Sequence, residues 1–490
     1  MKDPSNPNQA VWMESISNRV IRSGFWSLSG NWLARGLNII KMIVLARILV
    51  PQDFGVFGLA MLSIGCLSVL SEIGIEAALI QKSRVHRDDL NTAWTMAIIR
   101  GIFLFLLLFL LAGIIADYFN HAELKPLLQV IAICFILEGL TNIGVVYFQK
   151  AIDFKKKVKL ELLSDVCGSL TTVLFAFFLH SVWALVIGSI IWRMSYCLLS
   201  YQMHPYRPRI CLDLERSISL FHFGKHIFWI SIVTFIVTST DDALVGKILG
   251  LNLLGYYTMA YTIANIPVTS LASVIGRISF AAYSLVESDR ERLKRAFRQT
   301  FETTLLILLP LTVLIIVLTE DFIHIFLGAG WMPMADVLRI LCLLGLFRGL
   351  SNIIAPLHLA LNRPEVQSLN KTVELIVFLL LIYPFTVRWG LIGASWAVTV
   401  VYISSFVLNI FMLGCVLKGF IKIFFRASII PVAASIGLAL VTILMQIELK
   451  DMVAFLRFSI IGLAGVIVFS ILILILDRSL IFTVIQRGIK

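Results

Sequence analysis

Charged residues are scarce in this chain, at 14% of 490 residues, where a soluble domain carries roughly 25%. No polar stretch between the apolar runs is long enough to fold as a soluble domain. Histidine and cysteine are also sparse. The eight histidines form no ligand-spaced cluster, and there is no HExxH motif, phosphate-cradling glycine loop or Ser/His/Asp set. Six of the seven cysteines (Cys66, Cys134, Cys167, Cys197, Cys342, Cys415) fall within apolar runs and Cys211 in a short loop. With no CxxC and no extracellular pair, they read as packing residues and exclude a metal knuckle or disulfide framework. Residues 1–20 lack an apolar core and carry Pro4 and Pro7, so no cleavable signal peptide is expected and the tail should stay in the cytosol.

What the chain does have is hydrophobic residues, 59% of the total, with mean hydropathy +0.93. Apolar runs long enough to cross a core of about 30 Å recur along its whole length. They fall near 22–49, 54–80, 91–116, 126–148, 160–180, 183–203, 219–250, 255–283, 300–319, 335–361, 369–388, 391–417, 427–447 and 454–476. Lysine and arginine concentrate in alternate connecting segments, at 1–22, 81–90, 149–159, 204–218, 284–299, 362–371, 418–426 and 477–490. The opposite loops hold Lys125, Arg388 and Lys450. The positive-inside rule then puts both termini in the cytosol. The net charge of +12 is largely this topology signal and not a nucleic-acid surface. The basic loops at 149–159, 204–218 and 284–299 either attract anionic lipid headgroups or act only as topology determinants.

A weak repeat runs through the chain at a constant offset of 200 residues. Gly24 matches Gly224, Arg47 matches Lys247, Ile48-Leu49 matches Ile248-Leu249 and Gly55 matches Gly255. Six spans separate the copies, so both run in the same direction. The reading is all-α: a polytopic membrane protein of about fourteen transmembrane helices. Two six-helix bundles are related by a pseudo-two-fold axis along the membrane normal, with two further helices after them. The divisions are a tail (1–21), an N-terminal bundle (22–203), a basic linker (204–218), a C-terminal bundle (219–417), two added helices (427–476) and a tail (477–490).

Basic residues inside these spans are the informative exception, because each costs roughly 2.5–3.5 kcal/mol at a bilayer centre on insertion scales. They are Arg35, Lys41, Arg47, Arg100, Arg193, Lys225, Lys247, Arg277, Arg339, Arg348 and Arg457. Arg47, Lys247, Arg339 and Arg457 lie near span ends and can snorkel. Asn31, Arg35, Asn38 and Lys41 share a helical stripe, lining a cavity or making buried ion pairs. Arg35, Lys41, Lys225, Arg277 and Arg348 are the candidate lining for an anionic group. Asp241 and Asp242 are candidates for ion coupling, Asp241 being the repeat counterpart of Lys41 and an alternative static partner for it. Glu138 and Arg193, both near mid-membrane, read as a structural ion pair. Glu72 and Glu76 share a helix face near the cytoplasmic end. Tyr257, Tyr261 and Asn265, spaced by four, either present rings to a sugar or pack.

The runs Leu45–Gly58 (LARILVPQDFGVFG) and Ser71–Gln81 (SEIGIEAALIQ), followed by Glu287–Phe297, Leu327–Pro333 and Leu361–Pro364, resemble polysaccharide exporters of the Wzx type. The likeness is nearest to the colanic-acid, succinoglycan and teichuronic-acid subgroup. These exporters belong to the multidrug/oligosaccharidyl-lipid/polysaccharide flippase superfamily. The resemblance implies a non-enzymatic flippase in the bacterial inner membrane. It would carry undecaprenyl-diphosphate-linked oligosaccharide by alternating access, for exopolysaccharide, capsule or O-antigen synthesis. No cofactor is implied beyond an H+ or Na+ coupling ion. The implied partners are membrane lipids and the polymerase and chain-length machinery. Rival readings are a cation-coupled drug antiporter, whose cationic cargo suits an Arg- and Lys-rich cavity poorly, a membrane polysaccharide polymerase, and an uncoupled scramblase. The polymerase would need a large catalytic loop, and the loops here are short.

Overall fold

Within a bilayer every peptide N–H and C=O must find its partner inside the chain, which restricts spanning segments to helices or closed barrels. The computed structural model describes residues 7–71, 79, 82, 86–150, 154–211, 213–268, 275–276, 279, 283, 289–361, 363–417 and 419–476, and no strand occurs among them. The helices of eight residues or more are α1 (Pro7–Ile48), α2 (Pro51–Leu70), α3 (Arg87–Phe119), α4 (Leu124–Ile131), α5 (Ile133–Leu140), α6 (Phe154–Leu179) and α7 (Trp183–Met203). They continue as α8 (Leu214–Ile248), α9 (Leu251–Pro267), α10 (Arg290–Val317), α11 (Ala335–Ala360), α12 (Pro364–Val416), α13 (Phe420–Glu448) and α14 (Ala454–Leu476).

Among the described residues, nine helices are long and apolar enough to cross a membrane. That makes the chain a multi-pass membrane protein without establishing the fourteen spans expected from sequence. The numbers differ at identifiable places. The run expected at 126–148 is broken into α4, α5 and short turns. α12 joins two expected spans across Gly390, whose φ of 58° interrupts the helix in a region that favours glycine. The 200-residue repeat reappears in the elements themselves: α1 ends at Ile48 and α8 at Ile248, while α2 begins at Pro51 and α9 at Leu251.

Packing divides the chain into two compact units, Met1–Ala243 and Leu244–Lys490. In the first, α3 and α5 meet at glycine. A Cβ at Gly101 would lie 2.5 Å from the Phe135 carbonyl oxygen, and one at Gly139 would lie 2.6 Å from that of Ala97. Small residues allow such close approach where helices lack a hydrophobic driving force to associate. α6 and α7 use the same device: a Cβ at Gly168 would lie 2.6 Å from Trp192 Cβ, which fixes where the Trp192 ring stands. In the second unit aromatic rings fill the contact of α10 with α13, with Phe297 centred 4.8 Å from Phe420 and Phe301 5.1 Å from Phe424. Serine and threonine hydroxyls in the helices donate to carbonyls four residues back, as at Ser164, Thr172 and Thr312, so they enter an apolar setting already satisfied. Large apolar side chains such as Leu110, Phe178 and Ile475 remain more than 70% exposed, as a lipid-facing surface requires.

The Leu45–Gly58 run has a physical role. Leu45 and Leu49 pack with Ala176, Ala184 and Leu185. Asp53 accepts from the Val50 N–H (3.1 Å) through one carboxylate oxygen and from the Val182 N–H (3.0 Å) through the other. One carboxylate thus ties the α1–α2 turn to the α6–α7 turn, satisfying amides that helix starts leave orphaned.

The segment after α7 is also tied down. Asn142 Nδ2 donates to the Tyr206 carbonyl at 2.8 Å, and the Tyr206 hydroxyl donates to Asn91 Oδ1 at 2.5 Å. The Arg209 N–H reaches the same Asn91 oxygen and the Cys211 N–H reaches Thr95 Oγ1, each at 3.0 Å. His204 stacks on Tyr147 and accepts the Tyr206 N–H at Nδ1. Burial first, then the Lys156 and Arg207 charges, hold its pKa below the ordinary value.

Two outcomes follow for stability. Asp53→Ala strands two amides and should cost about 1–3 kcal/mol for each one left unsatisfied, read as a lowered thermal midpoint in detergent; an unchanged midpoint would show that the carboxylate is not a tie. For His204 the unfolded chain binds the extra proton first, so stability should fall as pH drops below about 6.5. His204→Gln should remove that part of the pH dependence in thermal melts between pH 5 and 8.

Candidate substrate cavity

Four elements of the first unit line a half-open cavity of about 400 Å³. α1 contributes Gly30, Asn31 and Ala34; α5 and the residue following it contribute Glu138 and Thr141. α6 contributes Val158, Glu161, Leu162 and Asp165, and α7 contributes Trp192, Arg193 and Tyr196. On each element the lining residues recur at three- and four-residue steps, which places them on one helical face. Gly30 is required on α1 because a Cβ there would overlap the Val158 side chain.

The charges around this cavity are paired. Glu138 Oε2 lies 3.4 Å from Arg193 Nη1, and its Oε1 lies 3.8 Å from Arg100 Nη2. Arg100 also donates from Nε to Ser71 Oγ at 3.0 Å. Lys157 Nζ lies 3.7 Å from Glu161. Trp192 Nε1 donates to Asp165 Oδ1 at 2.6 Å, and the Arg193 guanidinium sits 4.8 Å from the Trp192 ring centroid. Lys41 interacts electrostatically with Asp165, so this α1 lysine has a counter-charge within its own unit. Arg35 is half-buried on α1 beside the lining residue Ala34.

The second unit holds Arg348 differently. Its Nη1 donates to the Tyr261 hydroxyl at 2.9 Å and to Asn265 Oδ1 at 3.3 Å, and its guanidinium lies 5.6 Å from the Tyr402 ring. Among the described residues it makes no ion pair. Tyr261 and Asn265, read from sequence as a sugar platform or packing, are the residues that position this cation. Tyr257, on the same stripe, is fully buried. Asp241 is 3% exposed and Asp242 half-buried on α8. Lys225 falls on α8, but its side chain lies outside the described residues, as do Arg277, Glu72 and Glu76.

Two polar groups escaped the sequence reading. Glu161 and Asp165 follow Lys155–Lys157, and that basic run masks them as the edge of a cytoplasmic loop, yet α6 begins at Phe154 and takes the run into its first turns. In the second unit Glu374 (2% exposed) accepts from Ser405 Oγ at 2.6 Å and pairs with Lys371 Nζ at 2.7 Å, while Asn370 Nδ2 donates to Ser405 Oγ at 2.8 Å. Their spacing on α12 was the available signal.

Long apolar helices enclosing charged, paired interiors define a polytopic membrane transporter fold. The chain belongs to the polysaccharide biosynthesis protein family, whose model matches residues 44–336. It is 25% identical to the lipopolysaccharide biosynthesis protein WzxC of Escherichia coli (strain K12), over 90% of each chain. It is 22% identical to the teichuronic acid biosynthesis protein TuaB of Bacillus subtilis (strain 168), over 94% of this chain and 96% of that one. Among solved structures it is similar to the lipid II flippase MurJ in an inward closed conformation. The TM-score is 0.75 at 19% identity, covering 93% of this chain and 99% of that one, a likeness of fold.

The ion pairs should differ in weight. Glu138 and Arg193 are 38% and 34% exposed, so a double-mutant cycle should return about 1 kcal/mol or less. Asp321, hydrogen-bonded to Arg457 on α14, is 1% exposed. Asp321→Ala removes charge-assisted hydrogen bonds to that arginine, which keeps the Lys450 carbonyl as a partner, and should cost about 1.5–3 kcal/mol. Thermal or denaturant unfolding in detergent measures both, and equal effects would contradict the burial argument.

Proposed function

We propose that this chain is a flippase that moves undecaprenyl-diphosphate-linked oligosaccharide across the bacterial inner membrane, with both termini in the cytosol and its two halves giving alternating access. The observation that carries the reading is the state of Arg348. Arg100, Arg193, Arg339 and Arg457 each lie against a carboxylate, whereas the hydrogen bonds of Arg348 run to a phenol and an amide. Those neutral partners orient the guanidinium, and Glu374, which acts on it electrostatically, is itself paired with Lys371, so the N–H groups of Arg348 can still meet an anionic group. A planar guanidinium suits a diphosphate, which accepts paired N–H bonds. Lys225, Arg35 and Arg277 complete the proposed cationic set, Lys41 being engaged by Asp165, and Asp241 and Asp242 are the proposed coupling groups. The family membership and the named roles of WzxC and TuaB in surface-polysaccharide synthesis support the cargo class, and the MurJ-like fold supports the transport mode. The chain is not an enzyme on this reading; it works in series with the polymerase and chain-length machinery.

The test is polymer export in a strain that depends on this chain. Arg348→Ala should lower export at least tenfold at unchanged protein level. Arg348→Lys should restore little, because an ammonium cannot reproduce the fork held by Tyr261 and Asn265. Full export by both Arg35→Ala and Arg348→Ala would overturn the cationic assignment. In vesicles, transport indifferent to both proton and sodium gradients would remove the coupling role of Asp241 and Asp242.

A further inference from the structure

We propose that the cavity of the first unit binds the saccharide portion of the cargo, an assignment that rests on the flippase reading above. Among the described residues its lining carries Glu138, Glu161 and Asp165 with Arg193 as the one cation. The one cation in that lining is already paired with Glu138, which leaves none there for an anionic diphosphate; that group belongs with a cation such as Arg348. A free cation fits no better, because resident groups already compensate the acids: Arg100 and Arg193 at Glu138, Lys157 at Glu161, and Lys41 and the Trp192 N–H at Asp165. A cationic ligand would have to displace them.

A neutral polyhydroxylated ligand meets neither obstacle. An ionised carboxylate offers about four lone-pair sites, and the resident donors leave acceptor capacity for sugar hydroxyls on all three acids. Arg193 supplies N–H donors to ring or hydroxyl oxygens, and Asn31 and Thr141 add groups that both donate and accept. Trp192 and Tyr196, with ring centroids 5.9 Å apart and planes 31° apart, form an aromatic wall for the C–H face of a pyranose. Such rings combine a large apolar surface with a polar edge. The cavity, about 400 Å³, lies in the range of roughly 300–1,000 Å³ usual for small-ligand sites. Two acids on α6, costly in a membrane span, acquire a purpose beyond serving as counter-ions.

The Trp192–Asp165 contact is the centre of the site. Its 2.6 Å hydrogen bond locks both the ring and the carboxylate, and Gly168 brings α6 and α7 close enough to hold them. Specificity for the repeat unit then resides in the cavity wall of the first unit and not in the arginine.

The experiment is equilibrium binding to the full chain in nanodiscs. One probe is the repeat-unit oligosaccharide released by acid from the host's lipid-linked intermediate, free of lipid and phosphate; the other is farnesyl diphosphate. Trp192→Ala and Asp165→Asn should each weaken oligosaccharide binding at least about tenfold, since a site built around hydroxyl hydrogen bonds discriminates strongly when one is lost. Farnesyl diphosphate binding should stay unchanged, which also shows that the variants are folded. Trp192→Phe, which keeps a ring, should retain more affinity than Trp192→Ala; should Trp192→Ala misfold, Asp165→Asn and Glu161→Gln carry the test. Oligosaccharide binding unaltered in these variants overturns the assignment. So does preference of the wild-type cavity for a lipophilic cation such as tetraphenylphosphonium, displaced by Asp165→Asn. Wild-type protein that binds the intact lipid-linked oligosaccharide but not the free saccharide overturns it too, leaving the flippase reading standing. Wild-type protein that binds neither the intact cargo nor farnesyl diphosphate overturns the flippase reading itself.

Discussion

A charge inside a low-dielectric slab must be compensated by what lies next to it, and the organisation of this molecule follows from that constraint. Water is absent from the bilayer core, so an arginine there needs a carboxylate, a ring face, or a set of neutral acceptors fixed by packing. Each solution occurs here. Glu138 serves two arginines at once, and Arg348 rests on a phenol, an amide and an aromatic face. The helix contacts are subordinate to these pairings. The glycines that let α3 meet α5 and α6 meet α7 bring Arg100 to Glu138 and Trp192 to Asp165.

The constraint also separates structural charge from functional charge. A cation neutralised by a carboxylate has little field left to offer a ligand, whereas one held by neutral groups keeps it. On that criterion the first unit, where acids and bases alternate around a cavity, is suited to a neutral polar cargo group, and Arg348 in the second to an anionic one. A lipid-linked oligosaccharide carries both kinds of group, joined through its diphosphate.

Much of the fold was legible in the sequence, because hydropathy at a period of one bilayer thickness is a strong signal and the 200-residue repeat survives in the helix ends at Ile48 and Ile248. The number of spans was less legible: the stretch around Ala132 and Asn142 breaks where apolar composition continues, whereas the interruption at Gly390 falls between the runs 369–388 and 391–417 read from sequence. The depth of Glu138 and Arg193 was readable from sequence and their contact is 3.4 Å. Arg100, which shares that glutamate, gave no signal, because its partner lies on a helix related to it only by packing. Glu161 and Asp165 were hidden by the lysines before them. Asp53 shows the converse: its motif was visible, but its bond to the Val182 amide, 129 positions along the chain, appears only in three dimensions.

The most direct test of the account is translocation itself. The purified chain is reconstituted into vesicles that hold undecaprenyl-diphosphate-linked oligosaccharide in the inner leaflet, and the appearance of saccharide outside is followed with a membrane-impermeant lectin. The account predicts that lectin-accessible saccharide rises with the amount of chain incorporated and that Arg348→Ala vesicles lag far behind. Vesicles with and without the wild-type chain showing the same slow appearance, while a lipophilic cation crosses in its presence, would contradict it.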